Sequence, residues 1–248
     1  FIGRIYGLPC DIDEIMQISK KYNIPVIEDN AECLLSKYKG KMVGSLCDIA
    51  SYSFENSKHL SCGEGGMIIT NNKIYAEKCR KVGGHGFKSL KAENGIVKKN
   101  KNILQHPNFE RHDEIGWNYR LPEINSCIAY AQLERVDDII DMRIKSANIF
   151  LEVINKCDYL IPQYTPEDRT NSYWALGVKY YGEEKIGVSW YDFRQKYIEL
   201  GGDGYYGTWQ VPYLEPVMRD RNFVKRNPEI YKNIEYKEGL CPVAESVQ

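Results

Sequence analysis

Three things are missing from this 248-residue chain, and each absence removes a class of function. No apolar run approaches the roughly 20 residues needed to cross a bilayer, and the first residues carry no charged segment leading into an apolar one. A soluble, cytoplasmic protein that makes no use of a membrane is expected. No surplus of either charge exists: 33 Lys and Arg stand against 34 Asp and Glu, a net charge of -1 that offers no broad attraction to nucleic acid. No two cysteines show C-x-x-C spacing. The eight (Cys10, Cys33, Cys47, Cys62, Cys79, Cys127, Cys157, Cys241) are scattered, and several have small or apolar neighbours, as Cys127 does in "NSCIAYAQL". Reduced, buried thiols packing as small hydrophobes are expected, not a disulfide or metal framework.

The residues that are present describe a globular protein of one or two domains, since 43% hydrophobic and 27% charged residues suffice for a real core at this length. The first part alternates helix and strand. "DIDEIMQISKKYN" places Ile12, Ile15, Met16, Ser19 and Tyr22 on one helical face, with Asp11 to cap it and Asn23 to end it. "IPVIED" reads as a strand buried on both faces with Asp29 at its carboxyl end, where open α/β sheets bind ligands. "SKYKGKMVGS" reads as a turn with a Lys-Gly corner, "DIASYSF" and "GMIITNN" as strands, and "KIYAEKCRKVGG" as a helix. Residues 86 to 115 read as a long polar loop. "LPEINSCIAYAQLERVDDIIDMRIKSANIFLEVI" reads as one long helix opened by Pro122, with Ile124, Ile128, Ala131, Leu133, Val136, Ile139 and Ile140 on its apolar face.

After about residue 157 the texture changes to strand-like "SYWALGVKYY" and a helix "SWYDFRQKYIEL" with Ser189 and Asp192 as a capping pair. The expected division is a large domain over residues 1–145 and a smaller α+β domain over 146–248, both partial. The chain opens on "FIG", like the tail of a strand, and stops in "CPVAESVQ", where a helix has begun; a fragment is expected. The aromatic "YYGTWQVPY" reads as core and inter-domain packing, with a substrate cleft as the alternative.

The chemistry concentrates in "SYSFENSKHLSCGEGG". Lys58 follows a strand by a few residues and precedes three glycines, a corner with little use for a solubilising charge, which makes it a candidate reactive amine. Pyridoxal phosphate accounts for each odd feature, with Lys58 for a Schiff base, Asp29 facing the pyridine nitrogen, Ser53 holding the phosphate, and "GEGG" letting the backbone pass close by. The bland readings are an ordinary loop lysine, an aspartate in a turn, and loop or satisfied-polar roles for His59 and His85. "GEGG" is no NTPase phosphate loop, because no Gly-Lys-Ser/Thr follows it.

Taken together, "YGLPCDIDEIMQISKKYNIPVIEDNAE", "YKGKMVGSLCDIASYSFENSKHLSCGEGGMIIT" and "HDEIGWNYRLPEINSCIAYAQLERVDDI" resemble the DegT/DnrJ/StrS sugar aminotransferases of PLP fold type I, over roughly residues 6 to 143. The resemblance implies a mainly parallel sheet with flanking helices and a smaller α+β domain. It implies an imine to Lys58, Asp29 on the pyridinium nitrogen and Ser53 on the phosphate. Asn118 of "GWNYR" would reach the neighbouring subunit's phosphate in a homodimer with shared sites. The family's remaining phosphate-loop residues lie in an N-terminal third with no counterpart here. Glu32 stands where the family often has glutamine or histidine, near the cofactor's phenolic oxygen, so it is expected either protonated or pointing away. The implied reaction moves an amino group, from glutamate, to a nucleotide-linked keto-sugar for surface polysaccharide or a related glycoconjugate. Two alternatives stay open: a PLP-dependent sugar dehydratase, whose members typically carry histidine at the lysine position, and a catalytically silent regulatory homologue.

Overall fold

The chain enters on strand Ile2–Gly3 (β1) and crosses through helix Ile12–Tyr22 (α1) to strand Ile27–Asp29 (β2). It then turns through the hairpin Lys37–Tyr38 (β3) and Lys41–Met42 (β4), and adds Ile49–Ser53 (β5) and Gly66–Ile69 (β6). This computed structural model describes residues 1–95, 100–221, 229, 233 and 235–246. One sheet has the order β1-β2-β5-β6, with β1, β2 and β5 parallel and β6 antiparallel to β5. The architecture is therefore the α/β, mainly parallel sheet expected. Register pairs Asp29 with Ser51, so β2 and β5 deliver their carboxyl ends to one edge.

Local chemistry explains the connections. Asn23 ends α1 in the left-handed region (φ 53°), a conformation that asparagine tolerates better than most residues. Lys39 and Gly40 both take positive φ (48° and 75°), the type I′ geometry whose twist suits a two-residue hairpin. Asn72 caps helix Lys73–Gly83 (α2) by accepting from the amides of Ile74 and Tyr75. Asp11 does not cap α1; its carboxylate accepts from Arg169, a charged donor that outcompetes a backbone amide.

Residues 86 to 115 are more ordered than a loop: they contain the short helix Lys101–Leu104 (α3) and a bridge between Phe87 and His112, although 96–99 lie outside the described residues. The expected single long helix is two, Glu123–Leu133 (α4) and Val136–Ile154 (α5). Between them the amide of Arg135 bonds the Gln132 carbonyl, three residues back, which tightens the turn and rotates α5 relative to α4. The apolar face shifts accordingly. Ala129, Val136, Ile140, Ala147 and Ile154 are buried, whereas Ile124, Ile128 and Leu133 are exposed. Pro122 stands one residue ahead of the first helical turn. Ala129, Val136 and Ile140 close a core with Phe54, Leu60 and Cys62.

Two compact units result: Phe1–Lys156 with Pro162–Val178, and Cys157–Ile161 with Lys179–Gln248. Strands Leu160–Pro162 (β7) and Val178–Tyr180 (β9) pair with each other, and Arg169–Thr170 (β8) pairs with β3 in the first unit. The second unit holds helices Gly182–Ile186 (α6) and Trp190–Glu199 (α7) and a cluster in which Phe193 and Tyr205 pack against neighbouring rings. Ser189 and Asp192 cap α7 as expected: Ser189 Oγ accepts from the Asp192 amide at 3.1 Å and donates to its carboxylate at 2.7 Å. Helix Pro242–Glu245 matches the helix start read in "CPVAESVQ", of which residues 247–248 lie outside the described ones. The segment "YYGTWQVPY" is not core: Tyr206 and Trp209 are almost fully exposed, and only Val211 is buried. Cys127, expected buried, is exposed because α4 turns that face outward.

Candidate active site

Lys58 lies in the loop after β5, with 15% of its side chain exposed. Its Nζ donates to Glu32 Oε1 at 3.3 Å and stands 4.4 Å from the ring centre of Trp174. The other Glu32 oxygen accepts from the amide of Tyr6 at 3.1 Å. Glu32 is thus placed between the Lys58 amine, with which it forms an ion pair, and the Tyr6 backbone.

Asp29 ends β2 with an exposed side chain; Oδ1 accepts from the amide of Ala31 at 3.1 Å, leaving the second oxygen to a further donor. Ser53 ends β5, and its Oγ accepts from the Glu55 amide at 3.2 Å, so its own proton is available. Asn118 is exposed, accepts from Arg120 Nε at 2.8 Å, and bonds to none of the other four candidates among the described residues. Two glycines of "GEGG" serve packing: a Cβ on Gly66 would stand 2.7 Å from the Tyr52 carbonyl, and one on Gly65 2.8 Å from Cys62 Sγ, whereas Gly63 has open space around it and takes a positive φ of 87°. At Gly65 and Gly66 the backbone passes closely against its own neighbours.

Beneath Asp29 sits a charge pair that the apolar reading of "IPVIED" passed over. Glu28 is fully buried, and its Oε2 accepts from Arg4 at 2.7 Å and from the Gly44 amide at 2.8 Å. Its Oε1 accepts from the amides of Leu46 and Cys47 at 3.2 and 2.9 Å. Burial pushes its carboxyl up, but the Gly44 amide, Arg4 and the other donors together outweigh that and hold it below the usual carboxylate range. Glu28 thus ties the 44–47 turn to the strand that aims Asp29. The signal available in sequence was a charge inside a strand, with an arginine just past the end of the strand beside it.

His59 turns inward from Lys58. Its Nε2 is 3.0 Å from the Ser172 carbonyl, which fixes the hydrogen on Nε2 and leaves Nδ1 as a buried acceptor without a partner among the described residues. Burial, only partly offset by the Ser172 carbonyl, lowers its pKa to about 4. His85 bonds Arg120 at 3.1 Å, in line with a polar structural role.

Comparison with known proteins places the chain in a family. The family described as DegT/DnrJ/EryC1/StrS aminotransferases matches residues 2–213. GDP-perosamine synthase of Escherichia coli is 36% identical over 175 residues, 71% of this chain and 43% of that protein. UDP-4-amino-4,6-dideoxy-N-acetyl-beta-L-altrosamine transaminase of Campylobacter jejuni is 32% identical over 156 residues, 62% of this chain and 37% of that one. The solved aminotransferase of Psychrobacter cryohalolentis superimposes with a TM-score of 0.79 at 26% identity, over 99% of this chain and 60% of its own. The chain spans less than half the length of these two curated relatives. It belongs to the DegT/DnrJ/EryC1/StrS aminotransferase family.

Proposed function

We propose that the protein carrying this chain is a pyridoxal-phosphate-dependent aminotransferase that moves an amino group from an amino acid, glutamate by family analogy, onto a nucleotide-linked keto-sugar. One observation carries the reading: a scarcely exposed amine, Lys58, follows β5, while Asp29 and Ser53 end neighbouring strands whose carboxyl ends share one edge. The donor set fits the cofactor. It combines an amine for the aldehyde, a carboxylate oxygen free to face the ring nitrogen, and a hydroxyl proton free for the phosphate.

When bound, pyridoxal phosphate supplies an electron sink that weakens the bonds at the amino-bearing carbon. Lys58 would tether it and, when released, take up and return a proton at Nζ. Asp29 would keep a proton on the nitrogen it faces, because a nearby anion favours the charged partner. Ser53 would orient by donating its hydroxyl hydrogen. Asn118, on the surface, would serve the partner's site in a homodimer, giving each site one donor from across the two-fold axis.

The lysine at position 58 argues against the dehydratase alternative, and His59 is unsuited to replace it, with Nε2 committed to Ser172 and the ring buried. The test is amino transfer by the full-length protein. Lys58→Ala is expected to retain weak cofactor binding through Asp29 and Ser53 and to lose roughly 10²-fold or more in turnover, the low end of acid–base contributions. Near-normal turnover in that variant rejects the reading.

A further inference from the structure

The sequence signal lies in the Lys58 loop, but the side chains around its amine come from two distant segments. Trp174, 116 positions along the chain, presents its ring 4.4 Å from Nζ, with Glu32 holding the same nitrogen at 3.3 Å. The indole is held at its nitrogen and on a ring face. Its Nε1 donates to the Ser57 carbonyl at 2.9 Å and its ring stacks on Tyr6 with planes 7° apart, while the backbone carbonyl of Trp174 accepts from Arg143 at 3.0 Å. Tyr6 also holds Glu32 through its backbone amide. A single residue thereby braces both groups that touch the amine.

The backbone is shaped to the same end. Tyr6 and Tyr173 both take left-handed φ (64° and 48°), which is uncommon for bulky residues and persists only where surroundings over-determine it. Those surroundings are present: Asn171 Oδ1 accepts from the Tyr173 amide at 2.8 Å, and the Ser172 amide donates to the Gly7 carbonyl at 3.0 Å. Gly7 (φ 102°) has no room for a side chain, since a Cβ would meet the Tyr173 amide at 2.4 Å. The 171–174 segment is stapled on both sides of Lys58, to Ser57 by the indole and to His59 by the Ser172 carbonyl.

We propose that Trp174, with Glu32, forms a receiving clamp for the free ammonium of Lys58, and that Trp174 is a positioning residue for that amine. This rests on the reading of Lys58 as the reactive amine. An amine that alternates between a tether and a free state needs a fixed place to return to. A carboxylate and an indole face provide one, through an ion pair and a cation–π contact that gains strength as water is excluded.

The clamp is testable without cofactor. The cofactor-free full-length protein is treated with limiting acetylating reagent and the acetylation rate of Lys58 is read by peptide mass spectrometry, with the exposed Lys39 as internal reference. Trp174→Leu should raise Lys58 labelling about fivefold while Lys39 stays constant, Trp174→Phe, which keeps a ring face, should restore most of the protection, and Glu32→Gln should raise labelling separately. Unchanged Lys58 labelling in Trp174→Leu, or equal labelling in the Phe and Leu variants, overturns the proposal. If Trp174→Leu raises labelling at every lysine, the variant has unfolded, and Glu32→Gln decides alone: no rise there refutes the clamp. Failure of the aminotransferase reading is separately visible, as turnover surviving Lys58→Ala.

Discussion

Replacing either member of the buried Arg4–Glu28 pair should destabilise the protein, but not equally, and the inequality follows from their partners. Both side chains are wholly buried and 2.7 Å apart. Breaking such a pair by removing one partner costs about 3–5 kcal/mol, because the survivor is left as an uncompensated charge. Arg4→Met leaves Glu28 three backbone amides, from Gly44, Leu46 and Cys47, so the loss should fall near the low end, about 3 kcal/mol. Glu28→Gln deprives Arg4 of its carboxylate. It also turns an amide NH2 either toward the Leu46 and Cys47 donors or toward Arg4 and Gly44. Donor facing donor adds a desolvation cost, and about 5 kcal/mol is expected. Urea unfolding of each variant, compared at constant m-value, measures the difference. The pH dependence gives an independent sign. Glu28 is held below its ordinary 4.5, so its contribution is present above that pH and is lost as pH falls through the lower folded-state value. Without Arg4 the loss should begin at higher pH. An Arg4→Met cost equal to or greater than that of Glu28→Gln, or both below about 1 kcal/mol, would refute the reasoning that Glu28 organises the 44–47 turn.

Three further outcomes are expected. Asp29→Asn should keep the fold but slow deprotonation of the amino donor in single-turnover measurements, because a neutral amide no longer favours a protonated ring; an unchanged rate contradicts its assigned role. Mixing inactive Lys58→Ala subunits with an inactive, bulky Asn118 variant should restore activity as heterodimers form, since one site of each heterodimer regains both residues, and no recovery despite confirmed exchange defeats the shared site. His59, neutral in the fold with a pKa of about 4, should contribute a fall in stability as pH drops from about 6.5 toward 4, at up to about 1.4 kcal/mol per pH unit. His59→Gln should flatten that slope, as followed by urea midpoints across the range.

The individual strands of the sheet, the first helix, the Lys39–Gly40 turn and the Ser189–Asp192 cap were legible because each depends on residues close in sequence. The α4–α5 break was not: no glycine or proline marks Glu134–Arg135, and periodicity counted through it put Ile124 and Ile128 on the wrong face. The candidate site divides the same way. Asp29, Ser53 and Lys58 announce themselves by their places at strand ends, whereas Arg4 meets Glu28 from 24 residues away and Trp174 reaches Lys58 from 116. Such contacts are products of topology, and Trp174 in "SYWALGVKYY" reads locally as one more aromatic in a strand.

Everything proposed for the site depends most directly on which amine carries the cofactor. Borohydride reduction of the cofactor-loaded full-length protein, followed by proteolysis and mass spectrometry, should place the phosphopyridoxyl group on Lys58, in the peptide containing "FENSKHL". Label on a different lysine, or no label on a protein that has bound the cofactor, would contradict it.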